Sequence, residues 1–257
     1  MRIPYLKRPG FPIPLREPSV QLWFEGRFIT GVADAAALTT WTERRRSRDA
    51  TGATTERPVY YNTTSARLIN SHATVTYDGV DDHMDITDFT YSLNAGFHFY
   101  AVIRTGAAPA QDETIFSHYN ASGDQRAIGV FRLSDRTLKV ILSADGSYGA
   151  GTAKDYTSDG TLSDNTVYIV EFQYDMTTLD LYIDGALQTS TKNLDAAVDP
   201  LHNSTAPLML GDIRTAAGDD VLPFEGDMGA LVFGDTSLSS GKQLEMRNYL
   251  NSVYEVY

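Results

Sequence analysis

From Val20 to the C-terminus the chain runs in short apolar segments, each closed by a polar turn. Val20-Gln-Leu-Trp-Phe24 is the first strand-sized run. Ala33–Leu38, with Asp34 near its start, reads as a turn of helix. His72–Tyr77 alternates and stops at Asp78-Gly79, a strong turn signal. Phe97–Ile103 is a nearly continuous apolar strand ended by Gly106 and Pro109, and Ile128–Leu133 and Thr137–Leu142 are separated by the hairpin spacing Ser134-Asp135-Arg136. Thr166–Asp175 puts Tyr168, Val170, Phe172 and Tyr174 on one face; Leu179–Ile183 does the same for Leu179, Leu181 and Ile183 before turning at Asp184-Gly185. Pro207–Leu210 and Met228–Phe233 add two more strands. Only the end has helical spacing: Ser239 caps a helix through Tyr254, with Leu244, Tyr249 or Leu250, and Val253 on one stripe. Many short strands with polar turns predict an all-β fold, a two-sheet antiparallel sandwich. It forms one domain over residues 20–257, includes a C-terminal helix at 239–254, and has no internal repeat.

Residues 1–19 are written differently. Pro4, Pro9, Pro12, Pro14 and Pro18 remove amide donors and favour extended backbone, so neither a helix nor a central strand is expected there. Tyr5, Leu6, Phe11, Ile13 and Leu15 lie between the prolines, too apolar for a solvated linker. The segment reads as an anchoring arm, laid either in a groove of a neighbouring protein or back over its own domain.

Charge sharpens this division. Residues 1–60 hold ten Lys/Arg against six Asp/Glu, while the whole chain of 257 residues carries a net charge of −12. An acidic body is a poor partner for nucleic acid, and no run is long enough for a bilayer span, so neither nucleic acid binding nor membrane insertion is expected. The N-terminus has no apolar stretch before a small-residue cleavage site, which speaks against a secretory signal. With no cysteine, disulfides and thiolate metal sites are excluded and stability rests on the core. Arg44, Arg45, Arg46 and Arg48 form a basic loop, solvated or set to grip carboxylates or phosphates.

Several stretches occur in an order that resembles the concanavalin A-like, laminin-G-like jelly rolls, notably versions frequent in bacteriophage and bacterial surface proteins. Leu22-Trp23-Phe24, Trp41-Thr42-Glu43-Arg44 and Arg57-Pro58 look like the family's opening. Tyr77-Asp78-Gly79-Val80-Asp81-Asp82 resembles its acidic turn, Leu179–Gly185 its central hairpin, and Phe224–Phe233 with the following helix its closing elements. The resemblance implies a jelly roll and mostly binding or structural roles. The arginine loop and the Pro-rich arm depart from the pattern.

Catalytic chemistry is hard to find. Hydrolases on this fold carry Glu-x-Asp-x-x-Glu on one strand, where alternation turns the first two carboxylates to the substrate. That spacing is missing: Glu171 has Gln173 two residues on, and Glu113 follows Asp112 in an expected loop. His72, His83, His98, His118 and His202 are scattered without metal-ligand spacing, and Gly146–Gly151 reads as a flexible loop. Asp78, Asp81 and Asp82 are the candidate calcium ligands, or else ordinary turn formers. Tyr119, Tyr148 and Tyr156 fall in expected loops as candidate glycan platforms, or else serve strand packing.

The reading that joins these features is a non-enzymatic virion structural protein, a capsid decoration or tail component. It needs no cofactor except possible calcium, displays a lectin-like sandwich as a homo-oligomer, and docks to other virion proteins through Tyr5, Leu6, Phe11, Ile13 and Leu15. The alternatives are an adhesion module for host surface glycan and, third, a glycan-cleaving hydrolase.

Overall fold

The computed structural model describes residues 13–53, 55–87, 89–92, 94–214 and 221–257. Tyr5, Leu6 and Phe11 lie outside the described residues, as does the side chain of Leu15. In chain order the elements are helix α1 (Ile13–Arg16) and strands β1 (Val20–Glu25), β2 (Ala36–Ala37), β3 (Thr40–Trp41), β4 (Ala50–Thr51), β5 (Val59–Tyr61), β6 (Thr74–Asp78), β7 (Met84–Ile86), β8 (Phe97–Thr105), β9 (Glu113–Asn120) and β10 (Gln125–Arg132). There follow β11 (Thr137–Ser143), β12 (Ala153–Thr161), β13 (Val167–Tyr174), β14 (Leu179–Ile183), β15 (Ala186–Leu187), β16 (Ser190–Asp195), β17 (Leu208–Leu210), β18 (Glu225–Gly234) and helix α2 (Ser240–Tyr254).

Every ladder is antiparallel. One sheet runs β15-β14-β13-β8-β18-β6-β5-β2, with β1 also on β18; the other runs β16-β12-β11-β10-β9-β17-β7-β4-β3. The two meet over an aromatic core in which Phe99 stacks on Phe172 (5.2 Å) and Phe116 on Phe233 (5.4 Å). The unbroken apolar run of β8 follows from burial on both sides. Phe97, Phe99, Ala101 and Ile103 face the core, whereas Tyr100 and Val102 lie beneath α2 with Trp23, Ile169, Ala230 and Val232. Helix α2 covers this back face with Met246, Leu250, Val253 and Tyr254, while Leu244 is 55% exposed, so the buried stripe is rotated from the expected one. Ser239 takes the N-cap position without a side-chain capping bond. Beneath the helix, Glu171 is buried and paired with Arg247 through two bonds (2.5 and 3.0 Å), which gives this carboxylate a structural task.

Three local expectations are corrected. Ala33–Leu38 is not helical: the Asp34 carboxylate accepts the Asn62 and Thr63 amides (2.7 and 2.9 Å), and Ala35 adopts φ 59°, which delivers Ala36–Ala37 as an edge strand. Glu113, Tyr119 and Tyr156 lie in strands β9 and β12 rather than loops. The described end of the arm is a helical turn, not extended chain; Pro14 sits in the first turn, where a missing amide costs no bond, and the Glu17 amide closes on Ile13 O (3.0 Å).

That turn docks in cis. Ile13 is 2% exposed and packs in the cluster of Val20, Trp23, Met246 and Leu250. The arginine loop grips the same segment: Arg45 donates to the carbonyls of Pro14 and Glu17, and Arg46 to that of Pro18 (3.3 Å). Arg44 lies over the Phe28 ring (4.3 Å) and Arg48 over Phe89 (4.9 Å). The loop's first partner is thus its own chain, and Ile13 is removed from the residues available to a neighbour. Ile13→Ala is expected to cost about 2–4 kcal/mol, the usual loss for a buried large-to-small change, read as a lower urea midpoint with an unchanged slope.

Candidate functional site

With α2 on the back sheet, no helix among the described residues covers the outer face of the second sheet, although Asp212, Ile213 and Leu222 pack against part of it and most of its central residues are buried. A single register row crosses it: Thr51, Asp85, Met209, Ser117, Gly129, Ile141, Asp155 and Leu194. Alternation explains which residues point outward. Tyr156 pairs with Val140 and turns its ring into the core, while Asp155 pairs with Ile141 and faces out.

Asp155 is the hub of this face. It is fully buried, and its carboxylate accepts the Tyr148 hydroxyl, the Lys139 ammonium (2.9 Å) and the Asn193 amide (3.1 Å); Asn193 also reaches Thr157 (3.1 Å). Tyr148 is 46% exposed. Desolvation and the bond to Asp155 hold its hydroxyl above the usual phenol range. Its loop is pinned rather than flexible. The Asp145 carboxylate accepts the Ser147 amide (2.9 Å) and hydroxyl (2.7 Å), and Ser143 Oγ accepts the Gly146 amide (2.9 Å). Gly146, at φ 89°, lies so close to Asp124 that a Cβ would fall 1.7 Å from its carbonyl oxygen.

Beside the hub lies a hollow of about 100 Å³ walled by Tyr119, Phe131, Leu133, Ile141, Ile213 and Leu222, with Lys139 and Asp112 at its lip. Tyr119 meets Phe131 edge-to-face (5.9 Å) and is held by Arg126 (3.2 Å). Of the three tyrosines expected as sugar platforms, only Tyr148 offers a free ring. Tyr119 is a buried wall, and Tyr156 is a core residue anchored to Asp195 (2.5 Å). Lys139, Asp155 and Asn193 were not legible as site residues from the sequence. Their signal lies in the β11–β12–β16 pairing, not in any local motif.

Two larger clefts contain charged groups already paired within the fold. One, of about 560 Å³, lies at the far end of the back sheet, where Asp227 binds Thr76 (2.5 Å) and Arg104 (2.8 Å) and Arg104 holds the carbonyls of Ala66 and Leu68. The other, of about 480 Å³, contains His118, whose ring nitrogens meet Tyr91 and Ala206 O (both 2.9 Å) and whose pKa burial lowers to about 4. Glu113 is bound to the buried Arg132 (3.1 Å).

The carboxylates of Asp78, Asp81 and Asp82 offer oxygens within 4.8 Å of one another. Part of this geometry is turn chemistry: Asp78 accepts the Val80 amide (2.8 Å) and Asp82 the Asp78 amide (2.9 Å). Asp212 instead caps the Ile213 and Leu222 amides (2.7 and 2.9 Å), and Asp219 and Asp220 lie outside the described residues. Among the described residues, no helix is long and apolar enough to cross a membrane.

Fold and geometry define a two-sheet lectin-type sandwich with one decorated face. The family model of the concanavalin A-like lectin/glucanases superfamily matches residues 78–241, and the chain belongs to that superfamily. No curated protein sequence matches it. Among solved structures it is similar to Trypanosoma rangeli sialidase in complex with sialic acid (15% identity, 93% of this chain and 34% of that chain, TM-score 0.59). The same sialidase with 2,3-difluoro-KDN gives 15% identity, 93% and 33% coverage, and a TM-score of 0.58. The Ruminococcus gnavus IT-sialidase CBM40 bound to α2,3-sialyllactose gives 13% identity, 66% and 92% coverage, and a TM-score of 0.49. The chain spans about a third of the length of the Trypanosoma sialidase chains, and at these identities the likeness is one of fold.

Burial, then the neighbouring Asp78 carboxylate, push the Asp82 pKa up to about 6. The folded state therefore holds this proton more tightly than the unfolded chain, and the cost of ionising Asp82 is absent below about pH 4 and complete above about pH 7. With chelator present in both samples, Asp82→Asn is expected to gain on the order of 1–3 kcal/mol over the wild type at pH 7.5 and nothing at pH 4, in paired denaturation curves.

Proposed function

We propose that this chain is a carbohydrate-binding sandwich that receives a glycan on the outer face of its second sheet and cleaves no bond. One observation carries the reading: on the sheet face that no described helix covers, a buried carboxylate, Asp155, fixes an exposed aromatic ring, an ammonium and an amide, and Lys139, which carries the ammonium, also lines an apolar hollow. A sugar presents C–H faces and a fringe of hydroxyls, and such a set of one stacking ring with a few oriented polar groups matches both. Tyr148 supplies the ring, Lys139 and Asn193 the polar contacts, and Asp155 positions all three. The family and the fold likeness to sialidase structures support a glycan as the ligand class. Calcium enters as a structural ion seated by Asp78, Asp81 and Asp82. It would offset both the burial and the carboxylate repulsion that disfavour ionised Asp82, so chelation should lower the melting temperature at pH 7.5; an unchanged melt removes the ion.

Tyr148→Ala is expected to weaken glycan-array binding at least about tenfold with little change in melting temperature, whereas Asp155→Asn should weaken binding and also lower the melting temperature, because it breaks a buried ion pair. Array silence of the wild type ends the proposal, and a polysaccharide shortened on incubation replaces it with the hydrolase reading.

The virion setting is a second proposal, supported by the basic balance of residues 1–60 against the acidic remainder. In it, the chain is displayed as a homo-oligomer and docks to a neighbouring virion protein through Tyr5, Leu6 and Phe11. Deleting residues 2–12, which spares Ile13, should abolish particle incorporation and leave the melt unchanged; normal incorporation overturns it.

A further inference from the structure

We infer that the hollow beside Lys139 receives the acetamido group of an N-acetylated amino sugar, an inference that rests on the glycan reading and names its ligand. The hollow's size comes first. At about 100 Å³ it has room for roughly three water molecules, too little for a pyranose ring but enough for a small acyl group. Its wall comes second. Tyr119, Phe131, Ile141 and Ile213 pack together as a separate apolar cluster on the outer face, apart from the main core. These side chains are only 4–8% exposed, so a group seated in the hollow meets a largely carbon wall that offers little to a hydroxyl.

The lip comes third. Lys139 lines the hollow while its ammonium bonds Asp155 (2.9 Å), so it retains protons for a further acceptor. Asp112 lines the same hollow and accepts the Ser134 amide through one carboxylate oxygen (2.9 Å). An acetamido group presents a methyl, a carbonyl acceptor and an N–H donor within one small plane. Apolar wall, ammonium and carboxylate answer these three in kind. A hydroxyl leaves the wall uncovered, and a free amine brings a second cation beside Lys139.

The test compares N-acetylglucosamine and N-acetylgalactosamine with glucosamine, glucose and galactose against the full chain, by competition and by saturation-transfer NMR. The N-acetylated sugars should bind at least about tenfold more tightly than their parents, with the strongest saturation on the acetyl methyl. Ile141→Phe, which narrows the hollow, should weaken binding of the N-acetylated sugars more than that of their parents and so remove this preference; its melt reports whether it folds. Equal affinities across the series, or a methyl that receives no saturation, overturn the acetamido assignment while the glycan reading stands. No binding to any sugar overturns both.

Discussion

The molecule depends on apolar burial on both faces of one sheet. Strands β1, β8 and β18 carry large side chains on alternate sides, so the back sheet cannot stop at a two-layer sandwich. Phe24, Phe99 and Phe233 face the second sheet, whereas Trp23, Tyr100 and Val232 need another cover. Helix α2 and the turn at Ile13 supply it. Because the helix is committed there, no described helix lies on the outer face of the second sheet, and the polar hub built on Asp155 belongs to that face.

Charge inside the sandwich follows one rule: where a carboxylate is buried, a cation or amide is brought to it. Glu171 meets Arg247, Asp227 meets Arg104, Glu113 meets Arg132, and Asp155 meets Lys139. The first three tie segments of the fold together. The fourth differs in its surroundings, since its partners include an exposed tyrosine and it stands beside an apolar hollow.

The sandwich was legible in the sequence wherever one face of a strand is strongly apolar. Leu179, Leu181 and Ile183 alternate cleanly, and Leu179–Ile183 is found with the expected bounds. Strand β12 was missed because its row, Ala-Lys-Asp-Tyr-Thr-Ser-Asp, is polar on the outward side and shows one large apolar ring on the inward side. Strand β9 was missed because irregular pairing against β10 breaks its period. The site suffered accordingly. Tyr148 could be picked out as a loop aromatic, but Asp155 and Lys139 become neighbours only through the β11–β12 ladder. Ile13 was noticed as an apolar docking residue, but no local pattern decides between a neighbour's groove and its own domain, since the room beside α2 is not written in the sequence.

The clasp around residues 14–18 has a geometric consequence for how the sandwich is held. Lys242 in the first turn of α2 approaches Glu17 (3.6 Å), and Ile13 packs in the same cluster as Met246 and Leu250, so the described start of the chain is tied to α2 behind the back sheet. Ile13 behind the back sheet and Tyr148 beside the outer face of the second sheet therefore stand on opposite sides of the sandwich, as a mast stands behind a dish antenna.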